Sequence, residues 1–290
     1  RRVVVEMIEM KPAGKIMATV MVPGSKSYTN RALVTAALAS GTSVIKNPLF
    51  SDDTGYMVSC LKKTGVSIEG LPEDNELLVT GCNGKVPLSE VNIYAGNAGT
   101  VVRFLTAVLT LGNGRYEIDG VQRMRNRPIQ QLLDSLNLLG AHVVSKDDTG
   151  CPPVLVHANG LKGGTVKMKG DVSSQYVSAL LLAAPYAVHD VCLTITEDLV
   201  SKKYVDMTID VMKKFGVTVR QDSYRKFYIE SGQWYKGCEY IVEPDASNAS
   251  YFLAAAAITG GKVRIEGLGR NSLQGDTAFI DILGMMGCSV

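Results

Sequence analysis

The sequence predicts an α/β protein built from a repeated unit of strand, helix, strand, helix, strand and strand. Three observations lead to this fold class. Four apolar helices recur along the 290 residues, each is followed by a more amphipathic helix that ends in glycine, and short β-branched runs separate the helices. Because the same order recurs, we expect each repeat to fold as a small unit around its own pair of helices.

The first helix of each repeat begins with small polar residues and continues as an Ala- and Leu-rich run. The four stretches are "GSKSYTNRALVTAALASG" from Gly24, "GNAGTVVRFLTAVLTLG" from Gly96, "DVSSQYVSALLLAAPYA" from Asp171 and "DASNASYFLAAAAITGG" from Asp245. Successive starts are 72, 75 and 74 residues apart. Since their bodies are apolar nearly all round, we expect these helices to be buried, with their polar starts converging on one cleft.

The second helices keep the same period. They end in "KKTG", "NLLG", "KKFG" and "GMMG", and the final glycines, Gly65, Gly140, Gly216 and Gly287, are 75, 76 and 71 residues apart. Between helices, runs such as "LLVTG", "PVLVHA" and "KFYIE" are typical of strands. The fourth repeat reaches Val290 without its remaining strands, so we expect the sequence to be cut short.

Composition excludes several classes of protein. A net charge of +2 gives no general attraction for nucleic acid, and no apolar run has the length of a membrane span. The opening "RRVVVEMIEM" alternates like a strand rather than a signal peptide. The six cysteines form no CxxC pair, which indicates a reduced, metal-free protein of the cytoplasm, or of a plastid if the source is a plant.

The stretch "VPGSKSYTNR", residues 22–31, carries the strongest local signal for a ligand. A nucleotide P-loop is excluded, because Ser25 stands where that motif needs glycine before the lysine. Two interpretations remain open. The hydroxyls are those of an ordinary helix cap with solvated charges, or the helix start, Lys26 and Arg31 together bind a phosphate or carboxylate.

Seven motifs in order resemble the 5-enolpyruvylshikimate-3-phosphate synthase family over nearly the whole chain, and most closely its glyphosate-sensitive type. They are "PGSKSYTNRA", "GNAGT", "RMRNRPI", "SSQY", "LVSKKY", "DASNASYFLAAAAI" and "GRNSLQGD". The resemblance implies an inside-out α/β barrel of the enolpyruvyl transferase type, with two domains of three βαβαββ units each. Residues 22–242 would form one complete domain, and residues 1–21 and 243–290 would belong to the second.

The resemblance also implies the activity. The family transfers the carboxyvinyl group of phosphoenolpyruvate to the 5-hydroxyl of shikimate-3-phosphate and releases phosphate, a step of aromatic amino acid biosynthesis. It implies a monomer without metal or organic cofactor, two small-molecule substrates, no nucleic acid or membrane partner, and glyphosate as an inhibitor. Two alternatives stay open, a UDP-N-acetylglucosamine enolpyruvyl transferase and a phosphate-binding fragment without turnover.

Site residues follow from the motifs that match. For phosphoenolpyruvate the resemblance implies Lys26, Asn97, Gly99, Arg127 and Gln175. For shikimate-3-phosphate it implies Lys26, Ser27, Arg31, Ser173, Ser174, Gln175, Ser201 and Tyr204, with Asp53 and Arg103 in the cleft. The family's acid and base carboxylates are expected beyond Val290, so we expect residues 1–290 alone to bind shikimate-3-phosphate without turning it over.

Two residues depart from the family pattern. Phe104 and Lys203 both stand where the family usually carries proline. The first leaves sensitivity to glyphosate open, and the second adds a charge beside Tyr204.

Overall fold

The computed structural model describes residues 11–70 and 72–290. Its strands are β1 (Met17–Val20), β2 (Thr42–Lys46), β3 (Ser67–Glu69), β4 (Glu76–Thr80), β5 (Glu90–Tyr94), β6 (Asn113–Asp119), β7 (Val143–Ser145), β8 (Val154–Asn159), β9 (Gly164–Met168), β10 (Val191–Ile195), β11 (Arg220–Asp222), β12 (Lys226–Ile229), β13 (Glu239–Ile241) and β14 (Lys262–Ile265). Its α-helices are α1 (Lys26–Leu38), α2 (Asp52–Lys63), α3 (Gly99–Leu109), α4 (Gln130–Leu138), α5 (Ser174–Ala183), α6 (Lys202–Lys214), α7 (Ala246–Thr259) and α8 (Ala278–Met285). The sequence predicts a strand within residues 1–21. Residues 1–10 lie outside the described part, and β1 lies near the end of the predicted range.

The described strands include three four-stranded sheets that share one topology. Their strand orders are β13-β2-β4-β3, β5-β6-β8-β7 and β9-β10-β12-β11. In each sheet the first two strands are parallel and the other pairs are antiparallel. A helix is needed to connect a parallel pair, whereas short turns connect antiparallel ones, so this is the sheet that a βαβαββ unit forms. The predicted α/β fold class of repeated units is confirmed.

One strand of the first sheet comes from far along the chain. β13 pairs in parallel with β2, while β1 pairs in parallel with β14 and forms a separate two-stranded sheet. We call residues 22–242 the three-sheet body, and residues 11–21 with 243–290 the terminal unit. The chain passes twice between them, at residues 22–25 and 242–245, which we call the crossing segments.

The two crossing segments are hydrogen-bonded to each other. The amide of Ser25 donates to the carbonyl of Glu243 at 2.8 Å, and the amide of Asp245 donates to the carbonyl of Pro23 at 2.9 Å. Between them, a Cβ on Gly24 would lie 1.9 Å from the carbonyl oxygen of Asn47, so the backbone approach requires glycine. Because α1 follows one crossing segment and α7 follows the other, this pairing brings the starts of the two helices together.

The glycines that end the second helices explain the repeat period. Gly65, Gly140, Gly216 and Gly287 all adopt a left-handed conformation, with φ of 95°, 89°, 91° and 94°. In each case the amide of the next residue donates to the carbonyl five positions earlier, at 2.9–3.3 Å. This is a Schellman ending, which favours glycine because a side chain is strained at positive φ. The same helix stop is therefore used at the same place in every repeat.

The first helices fill the centre of the three-sheet body. Every residue of α1 from Tyr28 to Leu38 is buried, and so is every residue of α3 except Thr100 and of α5 except Gln175. The expected burial is wrong for α7, where only Ala246 and Ala249 are buried. Within the described residues, α7 packs mainly against β14, α8 and the turn before α8, which leaves most of its surface open. Across the same residues, no helix has both the length and the apolarity needed to cross a bilayer.

Candidate functional site

The start of α1 holds a lysine between two carboxylates. The backbone amide of Lys26 donates to Asp245 Oδ2 at 3.2 Å. Its Nζ lies 3.1 Å from Asp53 Oδ2, and the two side chains are 50% and 37% exposed. Asp53 stands in the first turn of α2, where a carboxylate also interacts favourably with the helix dipole. The ammonium group is therefore oriented by Asp53 and remains accessible to an anion from solvent.

Arg31 lies further along α1 and is enclosed, with 2% of its surface exposed. Its Nε donates to Thr208 Oγ1 at 2.7 Å and its Nη1 to the carbonyl of Ser27 at 3.0 Å. Its Nη2 donates to the carbonyl of Tyr204 at 2.9 Å and to Ser178 Oγ at 3.3 Å. The guanidinium group therefore ties α1 to α5 and α6, and one N–H of Nη1 has no acceptor among the described residues.

The charge of Arg31 is not balanced by a nearby acid. Among residues 11–70 and 72–290, no carboxylate lies within salt-bridge distance of this guanidinium, and the ring of Phe104 lies 5.4 Å from its Cζ. Burial lowers the pKa of Arg31 to about 10, so the group stays cationic at neutral pH. A buried cation without a counter-ion makes an apolar site electropositive, which favours binding of an anion.

Two further guanidinium groups flank the start of α3. Arg103 Nη1 donates to the carbonyl of Gly99 at 3.0 Å, and Arg127 Nη1 donates to the carbonyl of Asn97 at 3.3 Å. A Cβ on Gly99 would lie 2.4 Å from Arg103 Nη1 and 2.6 Å from Arg127 Nη1. Glycine therefore leaves room for both cations beside the first turn of the helix, and a Cβ would oblige the ends of the two arginine side chains to shift.

This pair of cations has no acidic partner in the described part of the chain. Arg103 is 6% exposed, and its Nε has no hydrogen-bond partner. Burial lowers the pKa of Arg103, the like charge of Arg127 lowers it further, and the neighbouring Tyr176 opposes both effects. Bringing like charges together away from water is unfavourable, so an anion with two acidic groups would relieve the repulsion.

The start of α5 lies beside the start of α3. Gln175 Nε2 donates to Thr100 Oγ1 at 3.4 Å. Thr100 in α3 and Gln175 in α5 are the residues of these two helices that are not buried. Ser173 caps α5 by accepting the amide of Gln175 at 3.2 Å, and Ser174 is 5% exposed. The predicted residues Asn97, Gly99, Arg103, Arg127 and Gln175 are thus brought together at the starts of α3 and α5.

A second group lies where the three-sheet body meets the terminal unit. Ser25, Ser27 and Tyr204 line a narrow crevice whose other wall includes Asp245 and Gln274. Tyr204 is 40% exposed, so its hydroxyl-bearing ring is available to a ligand. Ser201 precedes α6, is exposed and adopts φ of 53°, a conformation uncommon outside glycine.

A sizeable cavity lies elsewhere. It has a volume of about 610 Å³, is lined mainly by residues of α2 and contains none of the predicted site residues. We place the candidate site at the helix starts instead, because the unbalanced cations are there. In the described part of the chain, no group of three His, Cys, Asp or Glu side chains is arranged to hold a metal ion.

Sequence reasoning missed several residues that shape the site. Thr208 binds the guanidinium of Arg31, Tyr176 lies under Arg103, and Asp245 and Gln274 hold the crossing segments. Asp245 and Gln274 stand in the motifs "DASN" and "SLQGD", so position in a motif was the available signal. Tyr176 closes the motif "SSQY", so the same signal was available for it, whereas Thr208 lies in the amphipathic helix α6 and gives no local signal.

Comparison with known proteins shows the family of the chain. The model of one protein family, described as EPSP synthase (3-phosphoshikimate 1-carboxyvinyltransferase), matches residues 10–290. A protein of Sulfurovum sp. (strain NBC37-1) named 3-phosphoshikimate 1-carboxyvinyltransferase is 48% identical over 285 residues, which are 98% of this chain and 67% of that protein. A chloroplastic protein of the same name from Arabidopsis thaliana is 49% identical over 98% of this chain and 56% of its own length.

The solved structures agree. The structure of EPSP synthase from Acinetobacter baumannii superposes with a TM-score of 0.83 at 29% identity, over 95% of this chain and 61% of that one. The chain therefore spans between 56% and 67% of the length of these similar proteins.

Proposed function

This chain belongs to the EPSP synthase family, and from that premise we propose that its protein transfers the enolpyruvyl group of phosphoenolpyruvate to the 5-hydroxyl of shikimate-3-phosphate. The observation that carries the proposal is the pair of guanidinium groups around Gly99, which have no acidic partner within the described residues. Phosphoenolpyruvate carries a phosphate and a carboxylate on one small skeleton, and arginine forks bind both groups in bidentate fashion.

Phosphoenolpyruvate is assigned to the starts of α1 and α3. Arg127 would bind one of its acidic groups, and Gly99 lets the ligand approach the backbone where a Cβ has no room. Lys26 would exchange its contact with Asp53 for a contact with the ligand, as a flexible point charge does more readily than a fork. Asn97 and Gln175 complete this part of the site as neutral donors.

Shikimate-3-phosphate is assigned to the starts of α5 and α6. The hydroxyls of Ser173 and Ser174 would donate to its phosphate at the positive end of α5. Ser27, Ser201, Tyr204 and the remaining N–H of Arg31 would bind its carboxylate and ring hydroxyls, with Lys26 and Gln175 between the two ligands.

The reaction then proceeds by addition and elimination. The 5-hydroxyl oxygen bonds to C2 of phosphoenolpyruvate as its proton leaves and C3 gains a proton. The C2–O bond to phosphate then breaks, C3 loses a proton, and the enol ether and inorganic phosphate remain. The residues of this chain contribute by holding the two anions in reacting geometry and by balancing their charge in a cleft of low dielectric.

The organisation proposed for the protein follows the same premise. Residues 22–242 form a complete domain, and residues 1–21 and 243–290 belong to a second one, as the pairing of β1 with β14 supports. We further propose a monomer without cofactor that acts in the cytoplasm, or in the plastid if the source is a plant. Glyphosate is proposed to compete with phosphoenolpyruvate for the same cations.

Calorimetric titration of the 290-residue chain tests the proposal. We expect binding of shikimate-3-phosphate, none of UDP-N-acetylglucosamine, and tighter binding of phosphoenolpyruvate once shikimate-3-phosphate is present. Arg127→Met should abolish the phosphoenolpyruvate response, whereas the exposed Arg123→Met, four residues away, should leave it intact. Binding of UDP-N-acetylglucosamine without shikimate-3-phosphate would favour the other transferase. Shikimate-3-phosphate binding without phosphate release, in a chain extended to the length of its relatives, would favour a binding protein.

A further inference from the structure

Gln274 is a buried amide whose polar atoms are all engaged. It is 7% exposed. Its Oε1 accepts the amide of Ala246 at 3.0 Å, and its Nε2 donates to the carbonyl of Pro244 at 2.7 Å and to Glu243 Oε2 at 2.8 Å. The three contacts fall on Glu243, Pro244 and Ala246, so this one side chain holds the second crossing segment on both sides of Asp245.

The second crossing segment holds the start of α1 in place through hydrogen bonds. Asp245 caps α7 by accepting the amide of Asn248 at 2.9 Å through Oδ1, and accepts the amide of Lys26 at 3.2 Å through Oδ2. The carbonyl of Glu243 accepts the amide of Ser25 at 2.8 Å. The amides of both residues that open α1 therefore depend on where residues 243–245 lie, and Gln274 fixes that position.

We propose that Gln274 is a positioning residue that acts through the second crossing segment to hold Lys26 at the anion site. The functional half of this inference rests on the proposed function, because it takes Lys26 as a ligand contact. The structural half does not, since it concerns only how the start of α1 is held. Gln274 touches neither the reacting groups nor Lys26 directly, and its effect is relayed by Asp245 and Glu243.

Amide hydrogen exchange of the whole chain, resolved by residue, tests the structural half. Gln274→Met keeps the length of the side chain but removes all its hydrogen bonds. We expect exchange at Ser25, Lys26 and Asp245 to become at least tenfold faster, while amides of the β6–β8 pair keep their wild-type rates. If these three amides keep wild-type protection, or if all amides accelerate equally, the positioning role is wrong.

Gln233→Met is the matched control. Gln233 also bridges two loops through three hydrogen bonds of its amide group, to the amide and carbonyl of Thr218 and the carbonyl of Glu230, but it makes none of them with the crossing segments. It should leave the exchange of Ser25 and Lys26 unchanged. Should Gln274→Met fail to fold, Gln274→Asn retains the amide one methylene short of its partners and should show the same local acceleration.

Shikimate-3-phosphate titration tests whether Gln274 acts through Lys26. We expect Gln274→Met to weaken binding about fivefold to twentyfold, and Lys26→Met to weaken it at least as much. The double variant should bind no more weakly than Lys26→Met alone, because the lost contact can be lost only once. If the double variant instead loses affinity by the product of the two single losses, Gln274 does not act through Lys26. A wild-type chain that does not bind shikimate-3-phosphate would instead refute the proposed function, and the exchange comparison would still decide the structural half.

Discussion

Replacing the buried Arg31 by methionine should separate ligand binding from folding. Methionine reaches to the position of Nε, so Arg31→Met keeps an apolar stem and removes the guanidinium carbon and amino groups with the charge and the donors. The acceptors that lose their donor in Arg31→Met have another donor nearby. Thr208 Oγ1 lies 2.8 Å from both the Tyr204 carbonyl and Ser178 Oγ, so its hydroxyl can still serve either of them.

The expected stability change is therefore small. Loss of several charge-assisted hydrogen bonds and of the contact with the Phe104 ring is unfavourable. Removal of a desolvated cation with no carboxylate at hand offsets much of that loss. We expect the free energy of unfolding to change by about 1 kcal/mol or less. Shikimate-3-phosphate, in contrast, would lose a buried charged partner, which costs about 2–5 kcal/mol, or roughly 30-fold or more in Kd.

Urea unfolding and calorimetry of the same preparations measure the two quantities. Arg225→Met is the control, because Arg225 is an exposed arginine that pairs with Asp198 at 2.8 Å, and such pairs contribute about 0–1 kcal/mol. It should change neither quantity appreciably. The reasoning is refuted if Arg31→Met lowers the free energy of unfolding by several kcal/mol while the folded fraction binds shikimate-3-phosphate with wild-type affinity.

Three further outcomes are expected. Gly99→Ala should weaken phosphoenolpyruvate binding by about tenfold or more in calorimetry, since its Cβ would displace both flanking guanidinium groups; wild-type affinity would contradict the role of the close approach. Asp245→Ala should lower the free energy of unfolding in urea by about 1–2 kcal/mol, because α7 loses its cap and Lys26 its amide acceptor; an unchanged midpoint would contradict this. The hydrogen bond from Arg125 lowers the pKa of Asp119, so this pair stabilises the fold above the ordinary carboxyl pKa and stops doing so as pH falls through the lowered value. Arg125→Met should therefore reduce the loss of stability on acidification, measured as urea midpoints between about pH 5 and pH 2, and an enlarged loss would show the opposite sign.

The order and type of the elements could be predicted because the signals are local. A helix stop such as Gly140 is specified by its own backbone conformation, and it recurs in each repeat. The pairing of β13 with β2, and of β1 with β14, could not be predicted from local signals. β1 and β13 are short strands whose partners lie roughly 200 residues or more away, and a local pattern specifies a strand without specifying its neighbour.

The residues of the site likewise differ in whether a local pattern could predict them. Lys26, Gly99 and Arg127 belong to motifs whose composition signals an anion site, and the structure supplies cations at two of these helix starts. The residues that hold them, such as Gln274 and Thr208, act through partners distant in the chain. A buried glutamine or threonine has the same local appearance whether it is positioning a ligand contact or filling a turn. Lys203 remains an exposed charge, packed by its stem against Gly275, and no ligand contact is assigned to it.

The pattern of helix capping indicates why phosphoenolpyruvate should bind at the starts of α1 and α3, where it is assigned. α2 has a complete capping box from Ser51, and α7 is capped by Asp245. The N-cap residues of α1 and α3, Ser25 and Ala98, make no side-chain cap, and at α1, within the described residues, only the amide of Lys26 has a side-chain acceptor, Asp245. Free amides at a buried helix start are unfavourable unless an acceptor arrives from outside. An anion bound there would supply acceptors to the remaining free amides, balance the nearby cations and gain from the helix dipoles at once.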